Sequence, residues 1–131
     1  MESSASRTAL VLVDHGSRFP EANDMLADVA AMVKRLGAVE DVFYAHMELA
    51  EPTIAQAFAD AVRAGATAVV VHPYFLSPGR HSMDDIPRMV AEAAQAFPGV
   101  AYCVTAPLGL HEKIGEVVLE RAGLLAPARS A

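Results

Sequence analysis

One cysteine, Cys103, is all the chain has in 131 residues. A lone thiol excludes an intrachain disulfide and a thiolate cage, so any metal must be held by nitrogen and oxygen. Long apolar runs are equally scarce, and each is interrupted well before the roughly 18 residues that a membrane span requires. No basic run stands out and the net charge is −6, which argues against a nucleic-acid partner. The opening, Met1 to Arg7, is short and polar and lacks the apolar centre of a secretion signal, so a cytoplasmic protein is expected. With neither an internal repeat nor a linker, residues 1–131 are expected to form a single domain, its core spanning about 9–122 between frayed ends.

What is present is an ordinary globular composition, 53% apolar and 20% charged. Short aliphatic runs alternate with stretches of helical periodicity. Strands are predicted over Ala9–Asp14, Val42–Met47, Ala68–Val71 and Val100–Val104. Helices are predicted over Pro20–Leu36, from Pro52 to just before Gly65, over Asp84–Phe97 and over Glu112–Ala122. The inward faces read as Met25, Leu26, Val29, Val33 and Leu36; then Ile54, Phe58, Ala61 and Val62; then Ile86, Met89, Val90, Ala93 and Phe97. Ser82 suits a cap, and Pro87 is tolerated only near a first turn. Tyr102 and Cys103 read as core residues. The order βαβαβαβα predicts an α/β three-layer sandwich: a four-stranded parallel sheet, order 2-1-3-4 as in flavodoxin-like folds, with helices on both faces. Ligands of such sheets bind beyond the carboxyl ends, at the switch between strands one and three.

Chemistry collects at that place. Strand one ends in Asp14-His15-Gly16-Ser17-Arg18, and strand three leads through Pro73-Tyr74-Phe75-Leu76-Ser77-Pro78-Gly79-Arg80 to His81. Each delivers one imidazole and one guanidinium. Imidazoles bind metals and move protons near neutral pH, and arginines grip carboxylates or phosphates. Glu48, at the end of strand two, can accept a proton or orient a histidine. Glu51, beside Pro52, better suits capping the next helix, which leaves Glu48 freer for chemistry. His46 and His72 read as structural, His72 close enough to the mouth to support a site, and His111 is a weaker candidate at a helix start. Ser17 and Asn23 can bond a ligand but also suit a helix entry. Tyr74, Phe75, Leu76 and Leu108 are candidates for an apolar cleft.

Asp14-His15-Gly16-Ser17-Arg18 with Asn23, Glu48-Leu49-Ala50-Glu51-Pro52, the run Pro73–His81 with Asp85-Ile86-Pro87, and Ala106-Pro107-Leu108-Gly109 together resemble the small class II chelatases. The similarity covers about Ala9 to Arg121, with several motifs in order. Such enzymes insert a divalent metal into sirohydrochlorin. The resemblance implies that His15 and His81 bind the incoming metal and help remove pyrrole protons, with Glu48 assisting. It leaves Ser17, Arg18, Ser77, Gly79 and Arg80 for the substrate's peripheral carboxylates. It implies a homodimer, because single-domain members resemble half of larger chelatases. The stretch Ala45–Pro52 looks most like ferrochelatases of the siroheme branch, including those of plants, which add a cysteine-bearing tail holding an iron–sulfur cluster. No cysteine follows Cys103, so no cluster and no other permanent cofactor is expected, only Fe2+, Co2+ or Ni2+ as substrate.

Two other classes stay open. A histidine phosphatase also exposes His-Gly after its first strand, but needs an arginine before the histidine, where this chain has Asp14. A non-catalytic metal or tetrapyrrole carrier would use the same residues without turnover. Flavin binding is weakest, because the loop after strand one lacks a hydroxyl-rich phosphate cradle.

Overall fold

The computed structural model describes residues 6–77, 79 and 82–126. Its elements are β1 (Thr8–Asp14), α1 (Pro20–Leu36), β2 (Asp41–His46), α2 (Ile54–Arg63), β3 (Ala68–Pro73), α3 (Ser82–Ala94), β4 (Ala101–Val104) and α4 (Glu112–Ala122). All four strands pair in parallel in the order β2-β1-β3-β4, so the expected architecture is the observed one.

Alternation along the strands splits the sheet into two faces. One face carries Ala9, Val11, Val13, Val69 and Val71, packed against Ile54, Ala57, Phe58 and Ala61 of α2 and Ile86, Val90 and Ala94 of α3. The other carries Leu10, Leu12, Val42 and Tyr44 against Leu26, Val29, Ala30 and Val33 of α1. A parallel sheet needs cover on both sides, because its aliphatic strands leave no face suited to water.

Several local readings are corrected. Met25 and Leu36 are 62% and 74% exposed, because the buried stripe of α1 runs Leu26, Val29, Ala30 and Val33 and leaves both on a flank. Neither Pro52 nor Glu51 opens α2. Thr53 does, its hydroxyl accepting the Gln56 amide while the Gln56 side chain accepts the Thr53 amide. That reciprocal cap satisfies two backbone donors, and Glu51 instead accepts from the Gln56 side chain. Ser82 lies inside α3 rather than before it, and its hydroxyl accepts the Gly79 amide. Pro87 falls in the second turn of α3, where its ring leaves the Met83 carbonyl without a helical donor. α3 ends at Ala94, short of Phe97, whose ring stacks on Phe58 at 6.0 Å.

Tyr102 and Cys103 are not core residues. Tyr102 touches Phe58 edge-on yet is 44% exposed, and Cys103 is exposed. β4 is an edge strand with a neighbour on one side only. No helix of the described chain covers the face that Cys103 shares with Val70 and His72, and α4 buries none of its residues.

His72 lies half-buried on that thinly covered face, its Nδ1 2.9 Å from the Thr105 hydroxyl. Burial pushes its imidazole below the ordinary range, against an opposing backbone hydrogen bond at Ala106. The native state therefore binds this proton more weakly than the unfolded chain. The contribution of His72 is complete above the unfolded value of about 6.5 and is lost as pH falls from there through the lowered native value. Urea denaturation at pH 8 and pH 5.5 is expected to show a smaller acid-dependent loss in His72→Asn than in the parent. Equal losses contradict this.

Candidate active site

The mouth is assembled by backbone pairing that continues past the strand ends. The Met47 amide donates to the Asp14 carbonyl at 2.9 Å, the Glu48 amide to His15 at 3.1 Å, and the Tyr74 amide to Val13 at 2.7 Å. His15, Glu48 and Phe75 are thereby held on neighbouring chains at the switch point of the sheet. The His15 ring is exposed and meets Phe75 edge-on, with centroids 5.3 Å apart at 87°.

Gly16 makes this approach possible. Its φ is +93°, and a Cβ there would lie 1.9 Å from the Glu48 carbonyl oxygen and 3.1 Å from the His46 Cβ. Both the left-handed backbone and the contact exclude any side chain.

The turn that follows is latched. The Ser17 amide donates to the Asn23 side-chain oxygen at 2.9 Å, the Asn23 side-chain amide returns a bond to the Ser17 carbonyl at 2.8 Å, and the Ser17 hydroxyl accepts the Phe19 amide at 3.0 Å. Asn23 and Ser17 therefore shape the loop that presents His15. Arg18 is exposed beside them, free to meet a ligand's anionic rim.

A residue pair that the sequence reading did not bring together lies beneath. His46 is 1% exposed and its Nδ1 sits 2.5 Å from the Asp14 carboxylate. The partnership fits a structural role for His46 and gives Asp14 a task of its own. The two residues are opposite each other in the β1–β2 register, so pairing the ends of adjacent parallel strands is the signal that finds them. His111 caps α4, its Nδ1 accepting the Lys113 amide at 3.1 Å.

Two cavities flank Phe75. One, about 380 Å³ and open, is lined by Asp14, His15, Gly16, Ser17, Ala22, Asn23 and Phe75. The other, about 360 Å³ and largely apolar, lies between Phe75, the start of α3 and the segment 104–107. Of the expected cleft residues, Phe75 serves this mouth and Leu76 is exposed above it, but Tyr74 and Leu108 line a groove on the α1 face instead. Ser77 and Gly79 are exposed on the loop after β3. Arg80 and His81 lie outside the described residues. Among the described residues, no three His, Cys, Asp or Glu side chains converge on a metal position, so the described mouth supplies single donors rather than a closed cage. No helix among them is long and apolar enough to cross a membrane.

A doubly wound parallel sheet with an imidazole and a carboxylate at its switch point places the protein in the α/β class, whose ligands as a rule bind beyond the strand ends. The family model described as CbiX matches residues 9–123, and the chain belongs to the CbiX family. The chain is 49% identical over 112 residues to the chloroplastic sirohydrochlorin ferrochelatase of Arabidopsis thaliana, covering 86% of this chain and 50% of that one. It is 32% identical over 139 residues to the sirohydrochlorin cobaltochelatase of Methanococcus maripaludis, covering 87% of this chain and 96% of that one. Among solved structures, SirB from Bacillus subtilis with Fe3+ matches with a TM-score of 0.83 at 30% identity, over 92% of this chain and 48% of that one. The chain thus spans about half the length of the plant relative and of SirB, and nearly all of the archaeal relative. The resemblance to small class II chelatases read from the motifs holds.

Proposed function

We propose that this protein is a sirohydrochlorin chelatase that exchanges two pyrrole protons for Fe2+ or Co2+, with Ni2+ as a further substrate ion. The names of the plant and archaeal relatives support the ring and the two ions. The observation that carries the reading is the backbone pairing that sets His15 beside Glu48 over Gly16 at the switch point.

The reaction needs a divalent ion to lose water, a flat ring to be seated, and two N–H protons to leave. Neutral imidazole suits Fe2+, Co2+ and Ni2+ without the grip of a thiolate cage, so the ion can pass on to the ring nitrogens. His15 and His81 are assigned to the ion and to removal of the pyrrole protons, with Glu48, exposed at the rim, assisting in the second task. Phe75 offers an apolar wall between the two cavities. Ser17, Arg18, Ser77, Gly79 and Arg80 are assigned to the carboxylates on the ring's periphery, which guanidinium groups bind in paired hydrogen bonds. The protein works as a homodimer in the cytoplasm and needs no resident cofactor, and residues 1–131 form a single domain.

Anaerobic incubation of the purified protein with sirohydrochlorin and Fe2+ or Co2+ tests this. Catalytic replacement of the free-ring absorbance by that of the metallated ring is expected, over many turnovers per protein. Binding of ring or ion in a stoichiometric amount, with no acceleration over the uncatalysed rate, makes the protein a carrier and overturns the proposal.

A further inference from the structure

Asp14 and His46 face each other across β1 and β2, one repeat beyond the apolar pair Leu12 and Tyr44 on the same side of the sheet. The strand ends do not need them as a tie, because the Met47 and Glu48 amides already donate to the Asp14 and His15 carbonyls. A second apolar pair would continue the packing under α1, and well-packed hydrophobic replacements of a buried polar pair are often neutral or stabilising. What the polar pair adds is a carboxylate held in one orientation.

His46 is 1% exposed, too enclosed to meet a ligand itself, and its ring lies edge-on to Tyr44 with centroids 6.0 Å apart. Its Nδ1–H donates at 2.5 Å to one Asp14 oxygen, since an ionised carboxylate only accepts. The Asp14 side chain keeps 23% of its surface exposed, and Asp14 lines the same open cavity as His15, Ser17 and Asn23. Among the described residues no arginine or lysine pairs with it. Asp14 lies on the α1 side of the sheet, whereas the His15 ring turns to Phe75 on the α2 and α3 side, so the two straddle the end of β1.

We propose that Asp14 receives the divalent ion in its hydrated form, ahead of His15, and that His46 is the positioning residue that holds its carboxylate toward the cavity. The inference rests on the chelatase reading for the ion's identity. The waters of a divalent ion donate charge-assisted hydrogen bonds to a carboxylate, so Asp14 can hold the ion before any water leaves. The imidazole of His15 then replaces a water, a ligand that Fe2+ and Co2+ accept readily. Docking of this kind acts before the ring is metallated. It therefore appears in the KM for the ion and not in kcat.

Co2+ alone is the probe, added to the whole chain without the ring, and calorimetry measures its binding. Asp14→Asn keeps the shape and an oxygen for the His46 N–H but removes the charge. It is expected to weaken Co2+ binding about 10–100-fold, the usual effect of losing an outer carboxylate at a metal site. In turnover with sirohydrochlorin the KM for Co2+ should rise by a similar factor, with kcat at saturating ion within about twofold of the parent. His46→Leu should weaken Co2+ binding at least about 10-fold while remaining folded by circular dichroism. His46→Asn, whose amide can donate from the place of Nδ1, should restore most of that affinity. Parent-like Co2+ affinity in Asp14→Asn, or a fall in kcat at unchanged KM, overturns the proposal. So does failure of both Asp14→Asn and Asp14→Ser to fold, which assigns the pair to the strand ends. A parent that binds Co2+ through Asp14 without turnover defeats the chelatase reading alone, and one that neither binds Co2+ nor turns over defeats both.

Discussion

Gly16→Ala is expected to lower the stability of the domain by about 2–5 kcal/mol, adding the cost of a side chain at positive φ to that of forcing a methyl into a filled space. The new Cβ would meet the Glu48 carbonyl oxygen at 1.9 Å, and that oxygen belongs to backbone fixed by the Glu48 amide bond to His15. A flexible side chain would swing aside, but a carbonyl in a continuing ladder cannot move without separating the ends of β1 and β2. Relief at this point therefore also displaces His15 from Glu48. The molecules that remain folded should metallate more slowly than the parent. Urea denaturation of parent and variant measures the first effect, and ring absorbance at equal folded protein measures the second. A loss below 1 kcal/mol would show that the loop accommodates a side chain and that Gly16 is not the device that sets the spacing.

The position of Gly16 shows why much of this fold could be read from residues alone. A parallel α/β sheet is specified by elements that each announce themselves: aliphatic runs such as Ala68–Val71, helices with one apolar face, and glycine or proline between them. Right-handed crossovers then leave few orders for four strands, and the switch point follows from the order. His15 and Glu48 were legible as neighbours for that reason. Asp14 and His46 obey the same rule but were not read together, because a histidine inside a strand does not display its partner until the register is known. Thr53 with Gln56 carried a plain capping signal that the nearby Pro52 obscured.

The other end of the sheet was less legible for a physical reason. Periodicity reveals that a face is apolar, not what covers it. Tyr102, Cys103 and most of the apolar arc of α4 have the composition of buried residues and are exposed. Met25 and Leu36 failed differently. Hydrophobicity placed them on the α1 stripe, whereas the helical angle sets them on its flank. Sequence patterns thus determine the interior of this domain well and its boundaries with other surfaces poorly.

His15→Ala is expected to reduce kcat/KM for metallation at least about 100-fold, the lower end of what a positioned proton-transfer group contributes, and to leave the domain's stability nearly unchanged. The ring is exposed, and the packing recorded for it is the edge contact with Phe75, so little burial is lost with it. Its backbone carbonyl still receives the Glu48 amide, so the strand ends stay together. This separates the two roles at the mouth: Gly16→Ala damages fold and rate together, while His15→Ala removes rate alone. Glu48→Gln should fall between parent and His15→Ala, because the amide keeps the side chain's shape and loses its capacity to take a proton at neutral pH. Parallel assays with Fe2+ and Co2+ at fixed sirohydrochlorin, with denaturation curves for each variant, decide the matter. A His15→Ala protein that metallates at the parent rate would remove the imidazole from the reaction and leave the paired strand ends as scaffold only.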